Sequence, residues 1–475
     1  MLYGILRLLF RITFKVFFRN AHKHRPELVP QDGPLIICAN HPGAFLDPVV
    51  IATIVKRKVF FLAKGSVFKG ALAKWMLPKL NIVPVYRAQD DPTQMHKNEE
   101  TFIRCYEHLA NYGVLLIFPE GISITERKLR PVKTGAARIA LGAEEKYGNK
   151  LGVKISCIGL NYEDPHTFRR DVYISYSEPI DAADYAEKYK TEGFAAAEEL
   201  TEAIRKRLEE QMIHTADEET DRLVADIERL YKNDLLKEQG IKEDDKEGAF
   251  ELSKRIVRTV NFFREHEPER VEKIAQQIRA YFQKIGELGL SDKLIKGGAK
   301  GSRWMKNLKE FLFIVIGFPF FIYGLLHNYI CFFLADLLSS KLVKQKEYKG
   351  AIGAAAGMLL YLAWYITLGI FSWKFIHQHS LFDRPGFEWL LYFISWPVTG
   401  LFAWYYYCNL RYINKRWVMM SLFYRETNLV AELISVRNKL INELEQAIVD
   451  RDKHGIEPWM YGGFKDSKFK IRNPG

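Results

Sequence analysis

His41 and Asp47 stand in one short segment, Asn40-His41-Pro42-Gly43-Ala44-Phe45-Leu46-Asp47, directly after the apolar run Leu35-Ile36-Ile37-Cys38-Ala39. An imidazole steered by a carboxylate is a general base. Histidine, with an unperturbed pKa of ~6.5, can take the proton of a hydroxyl as that oxygen attacks a carbonyl. A carboxylate on the far ring nitrogen fixes the tautomer and stabilises the imidazolium. No serine stands beside His41 in this segment, so the attacking hydroxyl reads as the substrate's own and the chemistry as direct acyl transfer. A second segment, Phe118-Pro119-Glu120-Gly121, follows the apolar run Val114-Leu115-Leu116-Ile117. Either segment alone is an ordinary turn, because Asp before Pro, and Pro and Gly themselves, punctuate loops. Two such loops at strand ends in one domain point to one site.

The elements that must hold these loops alternate between apolar runs and helical stretches. Strands are expected at 35–39, 59–63, 83–86, 114–118, 155–160 and 172–176, with helices near 92–111 and 134–146. This alternation indicates an α/β domain with a mixed, largely parallel sheet and flanking helices. Loops at one end of such a sheet gather into a site.

The ordered blocks resemble the phospholipid/glycerol acyltransferase family, which includes glycerol-3-phosphate and 1-acylglycerol-3-phosphate acyltransferases. Asn40, His41 and Asp47 match its first block, Ile82-Val83-Pro84-Val85-Tyr86-Arg87 its second and Phe118 to Gly121 its third. Ser156-Cys157-Ile158 stands at the fourth, where the family often has Val-Pro-Val. The likeness covers roughly residues 30–180. Two departures stand out. Five residues separate His41 from Asp47 where four are commonest, a loop similar to that of fungal glycerol-3-phosphate/dihydroxyacetone-phosphate acyltransferases. Ile122-Ser123 replace the frequent Thr-Arg after the third block, and Arg127, Lys128, Arg130 or Lys133 could stand in for the missing arginine. The resemblance implies His41 as base and Asp47 as its orienting partner. Asn40, Phe118, Pro119, Glu120 and Gly121 would shape the acceptor pocket. Arg87 would bind the acceptor phosphate, since a guanidinium matches phosphate bidentately, and Lys64 is a further phosphate candidate. The implied co-substrate is an acyl thioester of coenzyme A or acyl carrier protein, with no cofactor and no metal.

The chain has 475 residues and a formal net charge of +12. That excess of cations suggests an anionic partner. Zinc-finger spacings and aromatic-rich basic repeats are missing from the sequence, so membrane lipid is favoured over nucleic acid. The five cysteines are scattered without close pairs, which fits free thiols better than a disulfide framework. Residues 1–20 carry Arg7, Arg11, Lys15 and Arg19 on one broad helical face among Leu, Ile, Phe and Val. This predicts an interfacial helix on anionic lipid.

The expected organisation continues with the acyltransferase domain over 21–183 and a Glu-, Lys- and Ala-rich helical accessory domain over 184–300. A membrane region then covers 301–410 and a cytoplasmic helical tail 411–475. Uncharged 350–373 and 389–410 are each long enough to span a bilayer. Apolar 311–335 is broken by Pro319, His327 and Asn328, which predicts a re-entrant hairpin or two short helices, with one kinked span as the competitor. Basic residues on both flanks of 311–335 place both on the cytoplasmic side, together with the catalytic domain. A bacterial cell membrane is favoured over the endoplasmic reticulum. The expected function is membrane-bound acyl transfer to glycerol-3-phosphate or 1-acylglycerol-3-phosphate in phospholipid biosynthesis. A phospholipid-remodelling transacylase and a non-catalytic lipid-binding protein are the alternatives.

Overall fold

The computed structural model describes residues 2–453 apart from 69, 88–92, 94, 243, 298–302, 343–345, 382 and 426. The end of the expected tail, after 453, and the junction at 298–302 between the expected accessory domain and membrane region lie outside the described residues. The chain forms two compact units, one of 1–214 with 328–391 and the other of 215–327 with 392–475.

The first unit is built on a sheet of eight strands: β1 (Ala21–His24), β2 (Leu35–Ala39), β3 (Val59–Lys64), β4 (Ile82–Val85), β5 (Val114–Ile117), β6 (Lys154–Tyr162), β7 (Val172–Tyr176) and β8 (Ile180–Asp181). Their order is β1-β7-β6-β2-β5-β3-β4, with β8 also on β6. β2 lies centrally and pairs in parallel with β5 and β6; β3 pairs in parallel with β4 and β5. β7 and β8 run antiparallel to β6. The sheet is therefore mixed and largely parallel.

All five residues of β2 are buried. A strand covered on both faces needs such a continuous apolar run. Ile36 and Cys38 pack into one layer with helices Lys97–Ala110, Gly135–Lys146 and Gly193–Glu210. Leu35, Ile37 and Ala39 face the opposite layer, with Phe14 and Phe17 of α1 (Leu2–Phe17) and Val50 and Ile51 of α2 (Leu46–Ile54).

Several expectations are corrected. The boundary at 183 moves to 214, because Ala196, Ala197, Leu200, Ile204 and Leu208 form a buried stripe against the sheet. The charge-rich composition of this helix belongs to its outer face only. α1 does not direct all its basic residues to lipid. Arg7 donates to the carbonyls of Val55 and Lys56, and Arg11 to that of Thr53, at the end of α2. Arg19 pairs with Asp171 at 2.8 Å. The face that α1 leaves exposed carries Ile5, Leu8, Ile12 and Val16, with Arg11 and Lys15 beside them.

Residues 311–335 are neither a hairpin nor two short helices. They lie within one helix, Arg303–Leu342, that carries Pro319 inside it. A proline removes one backbone donor, and a long apolar helix absorbs that loss without ending. The basic flanks of 311–335 therefore no longer share one side by a hairpin. Among the described residues, two helical stretches are long and apolar enough to cross a bilayer, Asn307–Lys341 and Tyr348–Gln378. Residues 389–410 belong to a helix, Pro385–Arg425, that does not join that pair. Its uncharged part is rich in Trp and Tyr, which carry polar groups.

The second unit is helical. Glu218–Ile227, Lys246–His266, Pro268–Glu287 and Thr427–Lys453 pack around a cleft lined by Leu223, Ile256, Phe263, Ile274 and Leu444. Arg437 is buried there and bonds both carboxylate oxygens of Asp292, at 2.8 and 3.1 Å. Tyr281 donates to the same carboxylate at 2.7 Å.

Candidate active site

The carboxyl ends of β2, β3, β4 and β5 lie at one end of the sheet, and the two motif loops leave from β2 and β5. Asn40 opens the first loop. Its side chain is buried and bonds the Leu160 backbone twice, donating to the carbonyl at 3.0 Å and accepting from the N–H at 2.7 Å. An amide can satisfy a strand residue at both ends in this way, and the bond pair pins the loop to β6.

The chain then turns through Ala44, which has a left-handed φ of 48°. That turn carries it into α2, with Asp47 in the first turn of the helix. His41 Nδ1 lies 2.8 Å from Asp47 Oδ2. The carboxylate is fully buried and takes two more donors, the Gly43 N–H at 2.8 Å and the Tyr162 hydroxyl at 2.7 Å. Its place at the amino end of a helix adds a favourable dipole. Gly43 is required by close approach: a Cβ there would stand 2.7 Å from Asp47 Oδ1. The His41 side chain keeps 19% of its surface exposed while that of Asp47 keeps none. The ring is thus reachable and its partner is sealed. Burial and the neighbouring carboxylate push the Tyr162 phenol well above its ordinary pKa, so it remains a donor.

The second loop braces the first. The His41 ring stacks on Phe118, with centroids 4.0 Å apart. Glu120 is buried and its two oxygens accept from the backbone N–H of His41 at 3.0 Å and of Arg130 at 2.8 Å. Burial raises its pKa, and those two backbone donors oppose the rise. Ser123 accepts from the Ala44 N–H and donates to the His41 carbonyl. Pro119 accepts from the Lys133 backbone N–H at 2.9 Å. Gly121 has a left-handed φ of 69°, which glycine adopts without cost.

The cations differ in position. Arg87 donates to the Gly121 carbonyl. Lys133, at the far end of the same connection after β5, stands against Gly121, its Nζ 3.0 Å from where a Cβ would be. Arg130 pairs with Glu126. Lys64 ends β3 opposite Val85, two residues before Arg87. Sequence reading missed Tyr162, and it left Ser123 unassigned and Lys133 as one of four. Tyr162 is 115 residues from Asp47 along the chain and belongs to no motif. Among the described residues no group of three or more His, Cys, Asp or Glu could hold a metal ion.

Residues 20–160 match the family described as Acyltransferase. Glycerol-3-phosphate O-acyltransferase 1 of Saccharomyces cerevisiae is 25% identical over 460 residues, which cover 78% of this chain and 59% of the yeast protein. The chain thus spans well under two thirds of that relative's length. A 1-acyl-sn-glycerol-3-phosphate acyltransferase of Streptococcus pneumoniae is 27% identical over 218 residues, covering 44% of this chain and 74% of the relative. The crystal structure of the 1-acyl-sn-glycerophosphate acyltransferase of Thermotoga maritima is 21% identical, with a TM-score of 0.29, covering 42% of this chain and 79% of that one. His41, Asp47 and the Phe118–Gly121 loop all fall inside the matched acyltransferase domain.

Proposed function

We propose that the acyltransferase domain transfers a fatty acyl group from a thioester to the hydroxyl of glycerol-3-phosphate or 1-acylglycerol-3-phosphate at a bilayer surface. The observation that carries this reading is the 2.8 Å pairing of a reachable imidazole with a sealed carboxylate at the carboxyl end of the sheet. With Nδ1–H given to Asp47, Nε2 is the base. It takes the acceptor's proton as the hydroxyl oxygen attacks the thioester carbonyl. A C–O bond forms, the C–S bond breaks, and the imidazolium returns its proton to the departing thiolate. Asp47 stabilises the imidazolium, and Tyr162 and Gly43 hold Asp47 in place.

Asn40, Glu120 and Ser123 act by positioning, since their bonds run to loop backbone. Arg87 and Lys133 flank Gly121 and are the candidates for the acceptor phosphate, with Lys64 beyond them. The names of the relatives support the choice of acceptors. The two apolar helices support residence in a membrane, and a thioester donor would be met on the cytoplasmic side, which is where the reading puts the domain. An acyl-lipid product favours such a site, because it partitions into the bilayer where it forms.

The test is a purified-protein assay that crosses glycerol-3-phosphate and 1-acylglycerol-3-phosphate with thioesters of coenzyme A and acyl carrier protein. Acceptor-dependent acylation that falls ~10²-fold or more in His41→Ala is the expected result. Activity from a phospholipid donor alone would favour a remodelling transacylase. Near-full turnover in His41→Ala would remove the mechanism.

A further inference from the structure

The loop between His41 and Asp47 does more than set their separation. Its last apolar residues diverge: Leu46 is buried, whereas Phe45 is 51% exposed. The Phe45 ring lies 5.2 Å from the ring of Tyr348. Tyr348 begins the stretch Tyr348–Gln378, one of the two apolar enough to cross a bilayer.

The first turns of this helix are built into the α/β unit. A Cβ on Gly350 would stand 2.2 Å from the carbonyl oxygen of Pro165, so the helix approaches that loop as closely as backbone allows. Ala351 and Ala354 are buried in the same core layer as Phe14, Phe17, Leu46 and Val50. Beyond them the side chains turn outward: Leu359 is 62% exposed, Ile366 55% and Phe371 70%. Leu359, Leu362, Ile366 and Ile370 recur at helical spacing, which makes one outward apolar stripe. Tyr348 and Leu359 are eleven residues apart, ~16 Å along a helix axis. α1, which packs on this same helix, leaves Ile5, Leu8 and Ile12 exposed as well.

We propose that Phe45 and the first turns of helix Lys346–Gln378 form a lipid-facing edge beside His41, along which the acyl chain of a bilayer-dissolved thioester donor reaches the catalytic loop. The occupant is a bilayer, because the edge is continuous with a helix whose outward face is apolar for the length of a span. The contact also sets how high His41 stands above the lipid, since helix and loop share one packed core. This inference names the route of the acyl chain and rests on the acyl-transfer reading for its second half only.

The experiment uses the full chain in vesicles of phosphatidylcholine and phosphatidylglycerol. Cys408 is the exposed cysteine, the other four being buried, so a Cys408→Ser background accepts a spin label at Phe45→Cys. The label is expected to collide with dissolved oxygen more than with a water-soluble nickel chelate. A label at Lys206→Cys, on a side chain 66% exposed, gives the aqueous reference. Nickel accessibility at position 45 equal to that reference would overturn the proposal. In the second arm, Phe45→Ala lowers the ratio of kcat/KM for long-chain over short-chain thioesters by about tenfold, the size expected when one aromatic contact with a chain is lost. An unchanged ratio overturns the route. A lipid-immersed label on a protein that acylates no acceptor upholds the edge while the acyl-transfer reading fails.

Discussion

Asp47 and Asp292 are both buried carboxylates with three or more donors around them, one in each compact unit, and they are used in opposite ways. Asp292 meets Arg437, itself 5% exposed, with Tyr281 closing the same group. A guanidinium never releases its proton, so that charge pair is fixed and the site is shut. Asp47 meets an imidazole, a group that can take up and give back a proton in acid–base catalysis, and the ring keeps an exposed edge. Its other donors, the Gly43 N–H and the Tyr162 hydroxyl, hold their protons. The same burial that locks one helical unit together therefore leaves, in the other, a single proton able to move.

The contrast can be broken most severely in the helical unit. Arg437→Ala strands the Asp292 charge and should cost about 3–5 kcal/mol of stability, as removal of one partner from a buried ion pair does. Denaturant unfolding of the membrane-inserted protein checks this, and a loss below ~1 kcal/mol would mean that water reaches the pair. His41→Ala should do the reverse, lowering turnover by ~10²-fold or more while the unfolding midpoint stays within error. Tyr162→Phe sharpens the comparison, because it deletes only the hydroxyl on Asp47. About a tenfold fall in kcat is expected, the scale of one charge-assisted hydrogen bond. More negative charge would then rest on Asp47, the imidazolium would be favoured, and the acidic limb of kcat/KM would move to higher pH. A merely structural tyrosine would shift the melting temperature and leave that limb in place.

Glu120 should give the smallest effect. Its folded-state pKa is raised, chiefly by burial, so the native protein binds this proton more tightly than the unfolded chain does. Its contribution is fully present below the unfolded pKa and is lost as pH rises through the folded one. Glu120→Gln should flatten that part of the stability–pH curve, read by thermal melts from mildly acidic to neutral pH. An unaltered slope would show that another group carries it.

The sequence spoke most clearly where a strand had to be apolar on both faces. Leu35–Ala39 and Val172–Tyr176 are where the apolar runs put them. Its silence at α2 has a definite cause. Asp47-Pro48 reads as a turn, yet proline is equally at home in the first turn of a helix, and the following Val-Val-Ile-Ala has no polar face to betray a period. Helix Gly193–Glu210 misled for the opposite reason: its Glu and Arg residues outnumber the buried stripe that docks it on the sheet. Pro319 suggested a break that a long helix tolerates. In the site, the motif residues were legible because they lie close along the chain. Tyr162 was not, because only the pairing of β6 beside β2 carries it to Asp47.

The arginines of α1 have a consequence for anyone trimming this protein. Arg7 and Arg11 cap the open carbonyls at the far end of the short helix whose first turn bears Asp47. Deleting the leading segment to obtain a more tractable fragment would strip those caps and let the helix fray toward the aspartate. The shortened enzyme would lose rate even in detergent, where attachment to a bilayer no longer matters.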